Sequence, residues 1–215
     1  MLRSLGGLLA PPRCAICAAP CPAHERLCPS CSRRLADARP GRAPVAGVGT
    51  VTWAAPYEST PRDLVAALKF HRRPDLARVV ALAIAAALGP GFGEWTVVAV
   101  PASPLRRRQR GFDPAESIAV ALALRLGATI EQPLRRGNGR RQVGRPRRER
   151  LASRPRVRAI APVSPRVLLV DDVLTTGATL GSCAAALRGA GCIELHAAVF
   201  ARTLGTTCAS AYHSS

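Results

Sequence analysis

The run RVLLVDDVLTTGATL, residues 166–180, constrains the fold of this chain more than any other segment. Its consecutive apolar residues 167–170 predict a strand that is buried on both faces, since a strand with one face in solvent would alternate with polar residues. Asp171 and Asp172 follow at the predicted end of this strand, and the small and hydroxyl residues after them predict a turn into a helix. This order is typical of an α/β protein with a mostly parallel sheet.

The same order of elements recurs along the chain. Thr60-Pro61 and Asp113-Pro114 each place a capping side chain before a proline, which marks the start of a helix. The predicted strands are residues 96–101, 129–132, 167–170 and 193–200. The predicted helices begin at residue 60, follow residue 74 as far as residue 88, begin at residue 113 and end at 127, and cover residues 179–188. Strands that alternate with helices predict a sheet with helices on both faces.

Five of the eight cysteines lie within the first 31 residues. Two C-x-x-C pairs separated by ten residues are formed by Cys14, Cys17, Cys28 and Cys31. Each pair can present two thiolates from one tight turn, so the four predict a structural zinc site. Disulfides are the alternative, which a cytosolic chain disfavours. Cys21 and His24 are additional candidates, although Cys21 follows Cys17 too closely to complete the symmetric pattern.

The length of 215 residues accommodates one α/β core and a small appendage. We expect a zinc-binding module at residues 1–38, a Pro- and Gly-rich linker at residues 39–50, and the α/β domain at residues 51–215. No apolar run reaches the roughly 20 residues of a membrane-spanning helix, and the start does not resemble a secretory signal. The expectation is therefore a cytoplasmic protein that does not insert into membranes.

The chain has a net charge of +18, with 31 basic residues of which only Lys69 is a lysine. The charge is concentrated: residues 135–158 contain eleven arginines and one acid, and the segment RRRQR at residues 106–110 adds four arginines. Such segments attract phosphates and nucleic acids. A solvated basic loop without a ligand is the alternative.

A phosphate site is predicted where the strand at residues 167–170 leads into the next helix. Ligands of parallel sheets bind beyond the carboxyl ends of the strands, and helix N-termini favour anions. The turn that would bind one phosphate consists of Thr175, Thr176, Gly177, Ala178 and Thr179. Asp171 and Asp172 would suit sugar hydroxyls or Mg²⁺. A phosphate beside two hydroxyls describes a ribose 5-phosphate. The phosphate-loop and dinucleotide-binding glycine motifs are both absent from the sequence.

Residues 166–180 resemble the phosphoribosyl pyrophosphate (PRPP) motif of the type I phosphoribosyltransferases. Together with the cysteine pairs, Lys69-Phe70, VAVPASP, RRRQRGFD and RRERLA, they make the chain similar to the ComF family of competence-associated proteins, from Cys14 to about Arg202. The resemblance implies a type I phosphoribosyltransferase-like domain with a mostly parallel sheet, preceded by a small zinc-ribbon-like module.

The resemblance also implies roles for individual residues. Asp171 and Asp172 would hold the ribose hydroxyls and act in catalysis, and residues 175–179 would bind the 5-phosphate. Residues 135–158 resemble the hood loop that folds over PRPP, with Gln142 among its recurrent polar positions. The implied pyrophosphate contacts are Pro101, Ala102, Ser103, Arg106, Arg110, Arg148 and Arg150. Asp113 and Pro114 replace the Asn and Gln of the family pattern.

Three functions remain open from the sequence. The first is binding of PRPP with Mg²⁺, with transfer of the phosphoribosyl group to an unidentified base. The second is a non-catalytic role in handling single-stranded DNA during natural transformation, with DNA-uptake proteins as partners and the nucleotide site as a sensor or relic. An aromatic content of 4% leaves few platforms on which bases could stack. The third is an interaction module in which the cysteine pairs dock a partner.

Overall fold

The computed structural model describes residues 12–70, 73–137 and 157–203. Arg148, Arg150 and Gln142, which were predicted to belong to the hood loop, lie outside these residues. The strands are β1 Gly41–Val45, β2 Gly49–Pro56, β3 Thr96–Ala99, β4 Thr129–Glu131, β5 Leu134–Arg136, β6 Val157–Ala159, β7 Arg166–Leu174 and β8 Glu194–Arg202. Six of them form one sheet in the order β1-β2-β8-β7-β3-β4, in which only β1 is antiparallel to its neighbour. β5 and β6 form a separate antiparallel ribbon.

The helices are α1 Pro29–Ala36, α2 Ser59–Phe70, α3 Ala77–Leu88, α4 Pro104–Arg110, α5 Pro114–Leu126 and α6 Ala178–Arg188. α3 follows a 3-10 turn at Pro74–Leu76. The predicted cap of α5 is confirmed, because the Asp113 carboxylate accepts a hydrogen bond from the Ala115 amide at 3.1 Å. Among the described helices, none is long and apolar enough to cross a membrane.

The two faces of the sheet carry separate apolar clusters. On one face, α2, α3 and α5 cover Leu168, Val170 and Phe200. On the other face, α6 covers Val167 and Leu169. The fold is therefore a mixed α/β structure with a mostly parallel sheet between helical layers, as predicted.

The segment expected to be a linker contains a strand. Residues 39–50 include β1, which pairs with β2 from Gly41 opposite Trp53 to Val45 opposite Gly49. Pro44 within β1 is tolerated because β1 lies at the edge of the sheet, where the backbone N–H that proline lacks is not needed for a second neighbour. The Pro- and Gly-rich composition of this segment did not predict the strand. The expected domain boundaries stay a prediction.

β7 continues beyond the point where the sequence predicted its end. Its pairing with β8 extends through Asp171, opposite Val199, to Leu174, opposite Arg202. Backbone hydrogen bonds do not depend on the charge of a side chain, so the ladder can include both acids. Because side chains alternate along a strand, Asp172 lies on the α2 face and Asp171 on the α6 face.

Candidate functional site

Asp172 lies against a lysine from a distant part of the chain. Lys69, in the last turn of α2, donates a hydrogen bond from Nζ to Asp172 Oδ1 at 2.7 Å. The side chains of Lys69 and Asp172 are 20% and 11% exposed, so water screens this ion pair only weakly. The sequence held a signal, since Lys69 is the only lysine, but no pattern connected it to Asp172.

Asp171 has a different environment on the opposite face of β7. Its Oδ1 accepts a hydrogen bond from the backbone N–H of Asp172 at 2.8 Å. Burial, together with the neighbouring charge of Asp172, raises the pKa of Asp171 to about 8. The two adjacent acids therefore differ in their partners: among residues 12–70, 73–137 and 157–203, a cation contacts Asp172 and none contacts Asp171. Carboxylate oxygens at this position suit a hard cation such as Mg²⁺ or the hydroxyls of a sugar.

The predicted phosphate turn leads directly from β7 into α6. Gly177 precedes the helix with a φ of +75°, a left-handed conformation that favours glycine. A Cβ atom at Gly177 would also lie 3.0 Å from Cγ1 of Val45. The Thr176 hydroxyl accepts a hydrogen bond from the Ala178 amide at 3.4 Å. Because glycine has no side chain with which to cap α6, the amides that follow Ala178 in the first turn of this helix can face an anion.

The predicted pyrophosphate loop lies beside β7. The backbone N–H of Val100 donates to the Val170 carbonyl at 2.9 Å, which aligns the end of β3 with the acids. Asp113 then holds the loop, because its Oδ2 accepts a hydrogen bond from the Ala102 amide at 2.8 Å. Asp113 is 8% exposed, and this burial raises the pKa of its carboxyl group. Ser103 accepts a hydrogen bond from the Arg106 amide at 3.4 Å and so begins α4.

The arginines of α4 lie next to this loop. Arg106, Arg107 and Arg108 are exposed. Arg110 is half-buried, with its guanidinium 5.5 Å from the centre of the Phe70 ring. The structure therefore brings the acids, residues 101–103 and residues 175–179 to the carboxyl ends of β3 and β7, with α4 next to them. Arg148 and Arg150 are outside the described residues.

The four predicted cysteine ligands come together. The Sγ atoms of Cys14, Cys17, Cys28 and Cys31 all lie within 4.8 Å of one another, and those of Cys17 and Cys28 are 3.6 Å apart. A tetrahedral zinc site with Zn–S bonds of about 2.3 Å places its sulfurs about 3.8 Å apart. The four cysteines can therefore hold a metal. Cys21 donates instead to the Glu25 carbonyl at 3.7 Å, and the His24 side chain is 83% exposed.

The thiols of this cluster do not ionise equally. Burial by itself raises the pKa of Cys14, but backbone N–H groups of Cys17, Cys28 and Ile16 together lower it to about 6. Burial and the neighbouring thiols raise the pKa of Cys31 well above its ordinary value. Without a cation the cluster therefore favours one thiolate, whereas a divalent metal would stabilise all four.

The cysteine module is attached to the α/β domain by charge and by apolar packing. Arg26, between the two cysteine pairs, places Nε 2.8 Å from Oδ2 of Asp75, which also binds Arg73 at 2.9 Å. Hydrogen bonds from Arg73 lower the pKa of Asp75. Buried residues of the module, including Leu27 and Cys28, belong to the apolar cluster that contains α2. The module is therefore packed on the layer that carries Lys69.

Comparisons with known proteins found similarity to several solved structures. No protein-family model matches the chain, and no curated protein matches it. One of these structures is described as the allosteric regulatory enzyme of purine biosynthesis. It is 22% identical to this chain with a TM-score of 0.39, and the alignment covers 59% of this chain and 25% of that enzyme. Glutamine PRPP amidotransferase from B. subtilis, complexed with ADP and GMP, is 24% identical with a TM-score of 0.38. The alignment covers 59% of this chain and 25% of the amidotransferase. Orotate phosphoribosyltransferase from Aeropyrum pernix is 20% identical with a TM-score of 0.38. The alignment covers 79% of this chain and 78% of that protein.

The chain spans 25% of the length of the first two structures. The sheet order and the helical layers of this chain define its fold.

Proposed function

We propose that the chain is a phosphoribosyltransferase-like cytoplasmic protein that binds PRPP with Mg²⁺ at the carboxyl ends of β3 and β7. The observation that carries this proposal is the direct succession of two carboxylates in β7 and a left-handed Gly177 that opens α6. The amides of the turn suit the 5-phosphate, and the acids suit the neighbouring ribose hydroxyls. A single ligand group would not match both the amide donors of the turn and the carboxylate acceptors of β7.

The arrangement supports transfer of the phosphoribosyl group to a nitrogen base. The C1–O bond to pyrophosphate breaks and its electron pair leaves on the pyrophosphate oxygen, a C1–N bond to the base forms, and the proton of the base passes to Asp171 or Asp172. Arginines 106 and 110 would stabilise the departing pyrophosphate, and the β7 acids would hold the positively charged sugar. Mg²⁺, when bound, would neutralise part of the charge on the pyrophosphate.

Titration with PRPP and Mg²⁺ tests the binding site. We expect saturable binding to the natural chain, and at least about a hundredfold weaker binding when Asp171→Asn and Asp172→Asn are combined, because both carboxyl groups that would hold the ribose hydroxyls are lost. Calorimetry measures the affinities, and product analysis with a panel of bases tests for transfer. Asp63→Asn is the matched control, since Asp63 is an exposed acid of α2 paired with Arg62. Equal affinity in the double variant and the natural chain would refute the assignment of the acids.

A second candidate function is the handling of single-stranded DNA during natural transformation, as a partner of DNA-uptake proteins. The exposed arginines of α4 favour it, because they form a basic surface that could contact a phosphate backbone.

Binding of labelled single strands at several salt concentrations tests this second function. We expect the combined change of Arg106, Arg107 and Arg108 to alanine to weaken binding about tenfold at low salt and to reduce the salt dependence. The control removes the same charge elsewhere, at the exposed Arg62, Arg78 and Arg125. An equal loss in both triple variants would show that α4 is not the DNA contact.

A further inference from the structure

The proposed function gives no role to Lys69, whose charge is partly buried. Lys69 is the only lysine among 31 basic residues, and its ammonium lies 2.7 Å from a carboxylate of the site. α2 positions Lys69 firmly, because the preceding Leu68 and the nearby Leu64 are fully buried in the apolar cluster. The contact is therefore part of the packed layer and is not a pairing of two solvated side chains.

The chemistry of this contact is that of a cation on an oxygen ligand. An ammonium is a compact, concentrated charge, unlike the broad planar guanidinium of the other basic residues. It contacts one oxygen of Asp172, a residue that is 8% exposed. A carboxylate in a poorly hydrated position attracts a cation, and the ammonium satisfies that attraction when no metal ion is bound.

We propose that Lys69 is a positioning residue that occupies the place of a divalent cation at Asp172, so that the ammonium and the cation compete for this carboxylate. The inference rests on the proposed function, because the cation is the one that would accompany PRPP. Binding of the cation transfers Asp172 from Lys69 to the metal and releases the ammonium toward the anionic groups of the ligand. Lys69 in this way keeps Asp172 from binding a free metal ion tightly before the ligand arrives.

Binding of Mn²⁺ alone, measured by calorimetry, tests the competition. We expect Lys69→Met to bind Mn²⁺ at least about tenfold more tightly than the natural chain, because the competing charge is lost. Lys69→Arg, which keeps the charge, should stay within about threefold of the natural chain. Arg62→Met is the control for loss of a positive charge from α2 without contact to the site. In a chain that already carries Asp172→Asn, Lys69→Met should have no effect. Equal or weaker Mn²⁺ binding by a folded Lys69→Met chain would overturn the proposal.

The single lysine provides a second measurement on the natural chain, which does not depend on the folding of a variant. An amine-reactive reagent modifies Lys69 at a rate that peptide mass spectrometry can follow. We expect saturating Mg²⁺ to increase this rate severalfold, because the ammonium leaves Asp172. An unchanged or slower rate would overturn the proposal.

Both measurements use the metal alone, so they separate this proposal from the proposed function. If the chain did not bind PRPP but Lys69→Met bound Mn²⁺ more tightly than the natural chain, only the proposed function would be contradicted. If PRPP binding depended on Asp171 and Asp172 but Lys69→Met left the affinity for Mn²⁺ unchanged, only the competition would be contradicted.

Discussion

Substitution of Cys28 by serine is expected to abolish metal binding and to lower the thermal unfolding midpoint of the chain by at least about 10 °C. Structural zinc contributes about 10 to 16 kcal/mol to the folding of isolated zinc modules, and a loss of several kcal/mol shifts the midpoint of a chain of this size by about this amount. Cys28 is 5% exposed and packs in the same apolar cluster as α2. Unfolding of the module would therefore also expose part of the α/β core.

Metal analysis of the purified protein and thermal unfolding measure this effect. We expect one zinc per natural chain and a chelator effect on stability that matches the serine substitution. Cys21→Ser is the matched control, because Cys21 belongs to the same segment but contacts the Glu25 carbonyl and not the four-sulfur cluster. A Cys28→Ser chain that retained both its zinc and its midpoint would exclude the four-cysteine site.

Acidification from pH 7 to pH 4 is expected to lower the free energy of unfolding by up to about 3 kcal/mol through protonation of His196 alone. His196 in β8 is buried, with Nε2 2.9 Å from the Thr52 hydroxyl and its ring 5.2 Å from that of Phe92. Burial, and secondarily the charge of Arg42, lowers its pKa to about 4. The unfolded chain takes up this proton near pH 6.5, whereas the folded chain resists it. The contribution is therefore complete above pH 6.5 and is lost as the pH falls from 6.5 to 4.

Denaturant unfolding at pH 7.5 and pH 4.5 measures the effect. His196→Gln keeps a hydrogen-bonding partner for Thr52 but cannot titrate, so the difference in stability between the two pH values should shrink by about 2 to 3 kcal/mol. Comparison of the two chains removes the contribution of other acid-sensitive groups, including the cysteine cluster. His24→Gln, at an exposed histidine, should behave as the natural chain does. The same decline with pH in the natural and His196→Gln chains would show that His196 is not the source.

Local signals predicted many of the elements and the composition of the site. Asp113-Pro114 marked the start of α5, and the left-handed Gly127 ends this helix where the sequence predicted. Both signals act within one turn of the chain, so the residues that carry them are neighbours in the sequence. The cysteine pairs are local in the same sense, since the second pair, Cys28 and Cys31, spans only the start of α1. β1 was missed because its Pro- and Gly-rich composition is typical of a linker, and only its pairing with β2 makes it a strand.

The sequence by itself determined which chemical groups the two candidate sites contain: two carboxylates and a turn of small and hydroxyl residues at one, and four thiols at metal-binding spacing at the other. The tertiary structure decided how these groups are paired. It placed Asp171 and Asp172 on opposite faces of β7, and it brought Lys69 to Asp172 across 103 positions of the chain. Contacts of that range depend on how helices pack on a sheet, which is set by the burial of apolar side chains such as Leu64 and Leu68, and no local pattern records them.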